Sequence, residues 1–175
     1  MTWEIDSAHT LVEFSVDHLM INVVKGRFNE VYGTLHLDTR QPENSWVKAA
    51  VNTASLTTGI VQRDEHLLSS EFFDAARFPT ITFESTRVRR TGSKDGTISG
   101  NFTIRGITRT VSFKADFTGY ARDPFSNRWK MGLSATGTID RRMFDMHFGQ
   151  VAEAGIAVIG YETRIELHIE AIQIE

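Results

Sequence analysis

The chain has 175 residues, a length typical of one domain that is large enough to bury a sizeable core. Hydrophobic residues make up 41% and charged residues 23%, which excludes a disordered chain and a coiled coil. The formal net charge of −3 provides no dominant positive field for binding a phosphate backbone, so we expect no nucleic-acid partner. Cysteine is absent, which excludes disulfides, a cysteine-ligated zinc and a thiol nucleophile.

The sequence carries no sign of targeting or of a membrane span. Residues 1–6 have no basic start, and no apolar run with a small-residue cleavage site follows them. No apolar stretch approaches the ~20 residues that a membrane-spanning helix needs. We therefore expect a soluble, cytoplasmic protein without a transmembrane segment.

The composition favours β-structure. Proline accounts for only 3 residues, whereas the chain contains 12 Phe, 3 Trp and 3 Tyr and is rich in Thr, Ile and Val. Most of the chain also alternates between apolar and polar residues with a period of two, which predicts half-buried antiparallel strands. The apolar faces of these predicted strands, in chain order, are Val12, Phe14 and Val16; Val31, Leu35 and Leu37; Val47, Ala49 and Val51; Ile81 and Phe83; Ile98, Phe102 and Ile104; Val111, Phe113, Ala115 and Phe117; Trp129, Met131, Leu133, Ala135 and Ile139; and Ile165, Leu167 and Ile169.

The alternation of apolar and polar residues is interrupted in the last predicted strand. Its apolar residues continue at Ile172 and Ile174, one position out of phase with Ile169. This shift predicts a β-bulge near residues 170–171, which would bend the strand as closure of a barrel requires.

One segment, residues 62–73, departs from the alternation and predicts a short helix. Leu68 and Phe72 lie four residues apart, which is a helical spacing. Thr57 or Thr58 is a candidate N-cap, and Pro79 opens the next strand. About eight antiparallel strands and one short helix indicate an all-β fold, a small closed barrel with room for one ligand.

Several motifs in order resemble the YceI-like family. They are WEIDSAHT at 3–10, FSVDH at 14–18, RDEHL at 63–67, FPTITFES at 78–85 and GNFTIRGIT at 100–108. The resemblance extends from residue 3 to about residue 170, so it covers nearly the whole chain.

The resemblance implies a single domain over residues 1–175 with a lipocalin-like, extended antiparallel β-barrel. It further implies a polyisoprenoid chain bound in an elongated apolar tunnel, and a homodimer, since family members are often dimeric. Many relatives are exported. The chain departs from the family pattern at Asp145, where the motif of an Arg followed shortly by Phe-Gly has Gly, and we expect a different loop there.

The inward-facing side chains are unusually aromatic. Alternation alone favours a dry core, whereas the resemblance favours a lined tunnel. The predicted tunnel-lining residues are Phe14, Phe28, Leu67, Phe72, Phe73, Ile81, Phe83, Phe102, Phe113, Phe117, Trp129 and Met131.

The richest polar cluster is Arg63-Asp64-Glu65-His66. Three roles stay open: Arg63 and Asp64 anchor the helix through charge-assisted hydrogen bonds, Arg63, Asp64 and His66 meet a ligand head group, or the cluster is catalytic. On a helix, Asp64 and His66 project about 200° apart, which does not suit one metal ion. The six histidines show no paired ligand spacing, so we expect no metal.

The sequence therefore predicts a non-enzymatic protein that binds, sequesters or transports a long-chain polyisoprenoid lipid. No cofactor is expected other than this bound lipid. One alternative is an enzyme that acts on a small amphiphile through residues 63–66. A second alternative is a ligand-free barrel that serves as a dimerising module.

Overall fold

The computed structural model describes residues 1–149 and 158–174. These residues form eleven strands and one α-helix, α1, at Val61–Leu68. The strands are β1 Thr2–Ile5, β2 Leu11–His18, β3 Asn22–Phe28, β4 Val31–His36, β5 Trp46–Asn52, β6 Leu56–Thr57, β7 Thr80–Arg90, β8 Asp95–Ile104, β9 Ile107–Arg122, β10 Trp129–Asp140 and β11 Glu162–Gln173. No helix in these ranges is long and apolar enough to cross a membrane.

Eight strands close into an antiparallel ring. The order is β1-β4-β5-β7-β8-β9-β10-β11, and β1 pairs with β11 to complete it. β2 and β3 continue from β11 as a hairpin, and β6 pairs with the end of β3. The predicted all-β barrel of about eight antiparallel strands with one short helix is confirmed.

β1 and β2 act as one long bent strand against β11. Ala171 pairs with Ile5 of β1, and Leu167 pairs with Val12 of β2. The β2–β3 hairpin therefore extends the wall of the barrel at the end where β10 finishes and β11 begins. We call this end, where α1 also lies, the mouth.

The opposite end of the barrel is closed by packed side chains. Trp3 is 1% exposed and Met131 is 3% exposed. The Trp3 ring stacks on Tyr120 at a centroid distance of 5.5 Å, and Tyr120 contacts Phe117 at 4.7 Å. Within this layer, Trp3 and Met131 belong to the hydrophobic core and Phe117 packs against it, whereas Tyr120 is 40% exposed. The layer limits the interior space to the other part of the barrel.

The β-bulge predicted in the last strand is wrong. β11 pairs with β10 in unbroken register from Glu162 to Ile172. Ala171 is fully buried, so the inward face continues from Ile165 in phase. The alternation misled because the inward residue Ala171 is small and the following apolar residue, Ile172, belongs to the other face.

The helix ends earlier than predicted. α1 stops at Leu68, and Ser69 donates its hydroxyl to the carbonyl of His66, a local bond that competes with helix continuation. The next residues form turns that reach Asp74, whose φ is +50°. The N-cap is Ile60 without a side-chain hydrogen bond, so neither predicted threonine caps the helix.

Candidate ligand cavity

The barrel encloses a cavity of about 510 Å³ between the closed end and α1. This volume lies in the range of small-molecule sites, ~300–1,000 Å³. The lining is mainly aliphatic and aromatic, and the polar and charged side chains among it include Arg63, His66 and Arg141. Such a surface suits an apolar ligand that carries a small polar group.

Nine of the twelve residues predicted to line a tunnel line this cavity. They are Phe14, Phe28, Leu67, Phe72, Phe73, Ile81, Phe83, Phe102 and Phe113. The rings pack edge to face along the wall: Phe83 meets Phe113 at 5.3 Å, and Phe28 meets Phe73 at 5.6 Å. Their role in binding a ligand stays a prediction.

The other three predicted residues lie elsewhere. Phe117 and Met131 belong to the layer at the closed end, and Trp129, the first residue of β10, is 47% exposed. Alternation identifies the inward face of a strand, but it does not give a residue's height along the barrel axis. Many aliphatic side chains of the same alternating faces also line the cavity, among them Val12, Ala49, Val51, Ile98, Leu133, Ile165 and Leu167.

Arg141 is a lining residue that the sequence reasoning missed. It is 3% exposed and donates to the carbonyls of Met146 at 2.7 Å, Gly160 at 2.9 Å and Ile159 at 3.2 Å. Its guanidinium lies 4.7 Å from the centre of the Tyr161 ring, and burial lowers the pKa of this group. Arg141 therefore ties the connection after β10 to the mouth. Its neighbour in a basic pair, Arg142, is exposed, and nothing in the sequence distinguishes the two.

Arg63 and Asp64 both bind Thr58, the residue after β6. Arg63 donates from Nε to the Thr58 hydroxyl at 2.7 Å and from Nη2 to its carbonyl at 2.8 Å. Asp64 accepts from the Thr58 backbone N–H and hydroxyl. These contacts favour the helix-anchoring role for the two side chains. Arg63 also lines the cavity, whereas Asp64 is absent from the lining.

His66 lines the cavity without contacting Asp64. Its Nε2 forms a hydrogen bond with a Glu71 carboxylate oxygen, and its ring packs edge-on against Phe148 at 4.7 Å and Phe72 at 5.1 Å. Glu65 is exposed. The pairings that would make residues 63–66 a catalytic group are therefore not formed, and Glu71 is the partner that sequence spacing did not identify.

A second cluster of charged groups, outside the cavity, joins Asp6, His9 and Glu170 within metal-ligand distances. Lys130 already supplies a cation there, since its Nζ lies 2.6 Å from Glu170 and 3.5 Å from Asp6. The hydrogen bond to Glu170 raises the pKa of Lys130. The two carboxylates are therefore already paired with a cation, in an ion-pair network that links the residue after β1 to β10 and β11.

Asp145 occupies a left-handed position, with φ at +59°. This conformation explains the preference for Gly in the family pattern, and Asp is among the residues that tolerate it best. The Asp145 carboxylate lies 3.2 Å from His147 Nε2 and 3.6 Å from Arg105 Nη2. Asp145 therefore adopts a backbone conformation that Gly also adopts and places a carboxylate near the mouth, while the expected difference from the family loop stays a prediction.

The chain matches the family model described as the YceI-like domain over residues 3–171. It is 34% identical to a UPF0312 protein of Pseudomonas syringae pv. syringae over 139 residues, which cover 79% of this chain and 72% of the relative. A UPF0312 protein of Pseudomonas putida is 33% identical with the same coverage.

Solved structures share the fold. Burkholderia cenocepacia BcnA has a TM-score of 0.83 at 19% identity, covering 95% of this chain and 98% of that protein. The YCEI protein of Campylobacter jejuni has a TM-score of 0.76 at 25% identity, covering 91% and 90%. A polyisoprenoid binding domain from Saccharophagus degradans has a TM-score of 0.71 at 13% identity, covering 98% of each chain.

Proposed function

The chain belongs to the family of YceI-like domains, and from this membership we propose that it binds a long-chain polyisoprenoid lipid and catalyses no reaction on it. The observation that carries the proposal is the apolar cavity, which is closed at one end by the layer around Trp3 and bordered at the other by α1. The fold it shares with a polyisoprenoid binding domain supports this choice of ligand.

The cavity suits a flexible hydrocarbon for an energetic reason. Each Å² of apolar surface removed from water contributes about 25 cal/mol, so a prenyl chain against aromatic and aliphatic walls needs few polar contacts. A ligand-free dimerising module would need no such interior space, so the cavity favours a binding role over that alternative.

The head group of the lipid would lie at the mouth, near Arg63 and His66. Arg63 uses Nε and Nη2 on Thr58, and its Nη1 has no hydrogen bond to the described part of the chain. This nitrogen is a donor for an oxygen of the head group. Asp64 would serve by holding α1 in place.

Catalysis finds less support than binding. Within residues 1–149 and 158–174, the His66 ring forms its hydrogen bond with Glu71, and no hydroxyl is hydrogen-bonded to it as a nucleophile would be. The homodimer and the cytoplasmic location stay predictions, to be tested by light scattering and by cell fractionation.

Native purification followed by organic extraction and mass spectrometry tests the proposal. We expect a prenyl lipid in the extract, and we expect the delipidated, refolded protein to take up a polyprenol from an ethanol dispersion. A lipid-free extract together with no uptake would exclude the carrier role. Turnover of the lipid that is lost on His66→Ala, with binding retained, would instead establish the enzyme alternative.

A further inference from the structure

The turn between β2 and β3 holds two bulky residues in a backbone conformation that disfavours them. Leu19 has φ +54° and Met20 has φ +58°, and the N–H of Ile21 donates to the carbonyl of His18 at 3.2 Å. Both residues therefore have the positive φ that the central residues of a type I′ turn share, a conformation that Asn and Gly adopt most readily, although His18 pairs with Asn22 and three residues lie between the strands. Leu and Met here cost the fold stability that a polar turn would retain.

The same turn exposes two of its three apolar side chains, and the third, Leu19, is half-buried. Met20 is 71% exposed and Ile21 is 84% exposed. These two side chains therefore add little to the hydrophobic core. The turn thus combines a strained backbone with exposed apolar side chains, and neither feature stabilises the fold. This combination indicates a role outside folding.

The turn stands at the border of the cavity. His18 lines the cavity, and the N–H of Leu19 donates to the carbonyl of Val158, another lining residue, at 2.9 Å. The mouth has a second exposed apolar site at the start of α1, where Ile60 is 52% exposed and Val61 is 72% exposed. α1 continues directly into residues 62 and 63, which line the cavity.

We propose that the apolar tip, Leu19, Met20 and Ile21, inserts into the interfacial region of a lipid bilayer and so brings the mouth against the membrane. The inference rests on the proposed lipid ligand, because a water-insoluble prenyl chain must enter from, or return to, a membrane. The apolar side chains at the tip and at α1 would bury in the headgroup and acyl boundary, as those of interfacial helices do.

A bilayer fits this surface better than a second copy of the chain. The tip has only three residues, two of them exposed, whereas a stable protein interface buries about 800 Å² on each partner. Asp17, beside the turn, is paired with Arg164 at 2.9 Å, so no excess of positive charge at that position calls for anionic lipid. We therefore expect binding to neutral phosphatidylcholine that is little affected by salt.

The test is flotation with phosphatidylcholine vesicles, with and without a polyprenol in the bilayer. The variant Leu19→Asn/Met20→Gly restores the favoured turn sequence, so its thermal midpoint should rise by about 2–4 °C. Its vesicle partitioning should fall about tenfold, since the exposed Met20 side chain and the half-buried Leu19 side chain are removed and Ile21 alone remains. The matched control is Phe125→Ser: Phe125 is 98% exposed in the β9–β10 turn at the closed end, and its replacement should leave flotation unchanged.

The outcomes separate docking from ligand binding. Wild-type protein that does not float, or a double variant that floats equally well, overturns the docking proposal. A double variant that changes only the oligomeric state in light scattering also overturns it, because the tip would then be a protein interface. The double variant should still take up polyprenol from an ethanol dispersion. Failure of wild type and variant alike in that uptake, with flotation still dependent on the tip, would overturn the proposed function and leave docking in place.

Discussion

The Asp64 carboxylate accepts two hydrogen bonds from Thr58, one from the backbone N–H at 2.7 Å and one from the hydroxyl at 2.6 Å. Because Ile60 offers no capping side chain, this contact and the Arg63 bonds to the same residue hold the first turn of α1 in place. α1 borders the cavity, so the contact positions the mouth.

Asp64→Ala is expected to lower the free energy of unfolding by about 2 kcal/mol, because two hydrogen bonds to a charged acceptor are lost. Thr58→Val removes the hydroxyl, which donates to Asp64 and accepts from Arg63 Nε, so it also loses two hydrogen bonds and should cost a similar amount, about 2 kcal/mol. Urea denaturation measures both. Lipid affinity of the folded Asp64→Ala protein should change little, because the two Arg63 bonds to Thr58 still hold α1 at the mouth. A large, selective loss of affinity would assign this carboxylate to the head group instead.

A substitution in β5 can reduce the volume of the cavity. Ala49 lines it, and a leucine at this position would occupy space that the prenyl chain needs. We expect Ala49→Leu to weaken lipid uptake about tenfold while leaving the thermal midpoint equal or higher, since filling a cavity stabilises the fold. Lys48→Leu on the outer face of the same strand is the control, and it should take up lipid normally. Equal uptake by both variants would place the ligand elsewhere.

Arg141→Lys should destabilise the protein by about 2–3 kcal/mol, because an ammonium cannot reproduce three hydrogen bonds from one planar group. The adjacent variant Arg142→Lys tests an exposed ion pair with Asp140 and should cost less than about 1 kcal/mol. Guanidinium denaturation of the two variants side by side checks the contrast. Similar losses would show that the buried network around Arg141 adds little.

The lowered pKa of Asp6 leads us to expect that the stability of the fold depends on pH. Burial raises the pKa of this carboxyl, but hydrogen bonds from His9 and the Ala8 N–H outweigh burial, so the pKa lies below its ordinary value of 3.8. A pKa that is lower in the folded protein stabilises above about pH 4 and loses this effect as pH falls through the folded-state pKa. The thermal midpoint of Asp6→Asn should lie below that of wild type near neutral pH and approach it below about pH 4. A constant difference across this range would contradict the assignment.

Asp145 lies in a left-handed backbone conformation, so the stabilities of glycine and alanine variants can be compared at this position. Asp145→Gly relieves a left-handed conformation, whereas Asp145→Ala keeps the Cβ and removes the carboxylate. We expect the alanine variant to be about 1 kcal/mol less stable than the glycine variant. Thermal unfolding of the pair measures the difference, and equal stabilities would show that the loop relaxes out of this conformation.

Sequence reasoning identified most inward faces of the strands because the two-residue period is a local property of each segment. It failed where contacts made in the folded structure, and not the local pattern, determined the end of an element or the register of a strand. Ser69 ended the helix through a bond to His66, and Ala171 concealed a continuous register. Arg141 and Arg142 look alike in sequence, although one is buried in carbonyl contacts and the other is exposed.

By itself, the sequence determined an antiparallel all-β domain with an aromatic interior, one short helix and the family to which it belongs. Only the tertiary structure decided which inward rings line the cavity and which close the barrel, as Phe113 and Phe117 do respectively. The physical reason is that a residue's height along the barrel depends on strand register and tilt, which are set by pairing between segments distant in the chain. The same pairing brings Thr58 to Asp64 and places an apolar hairpin turn beside the mouth.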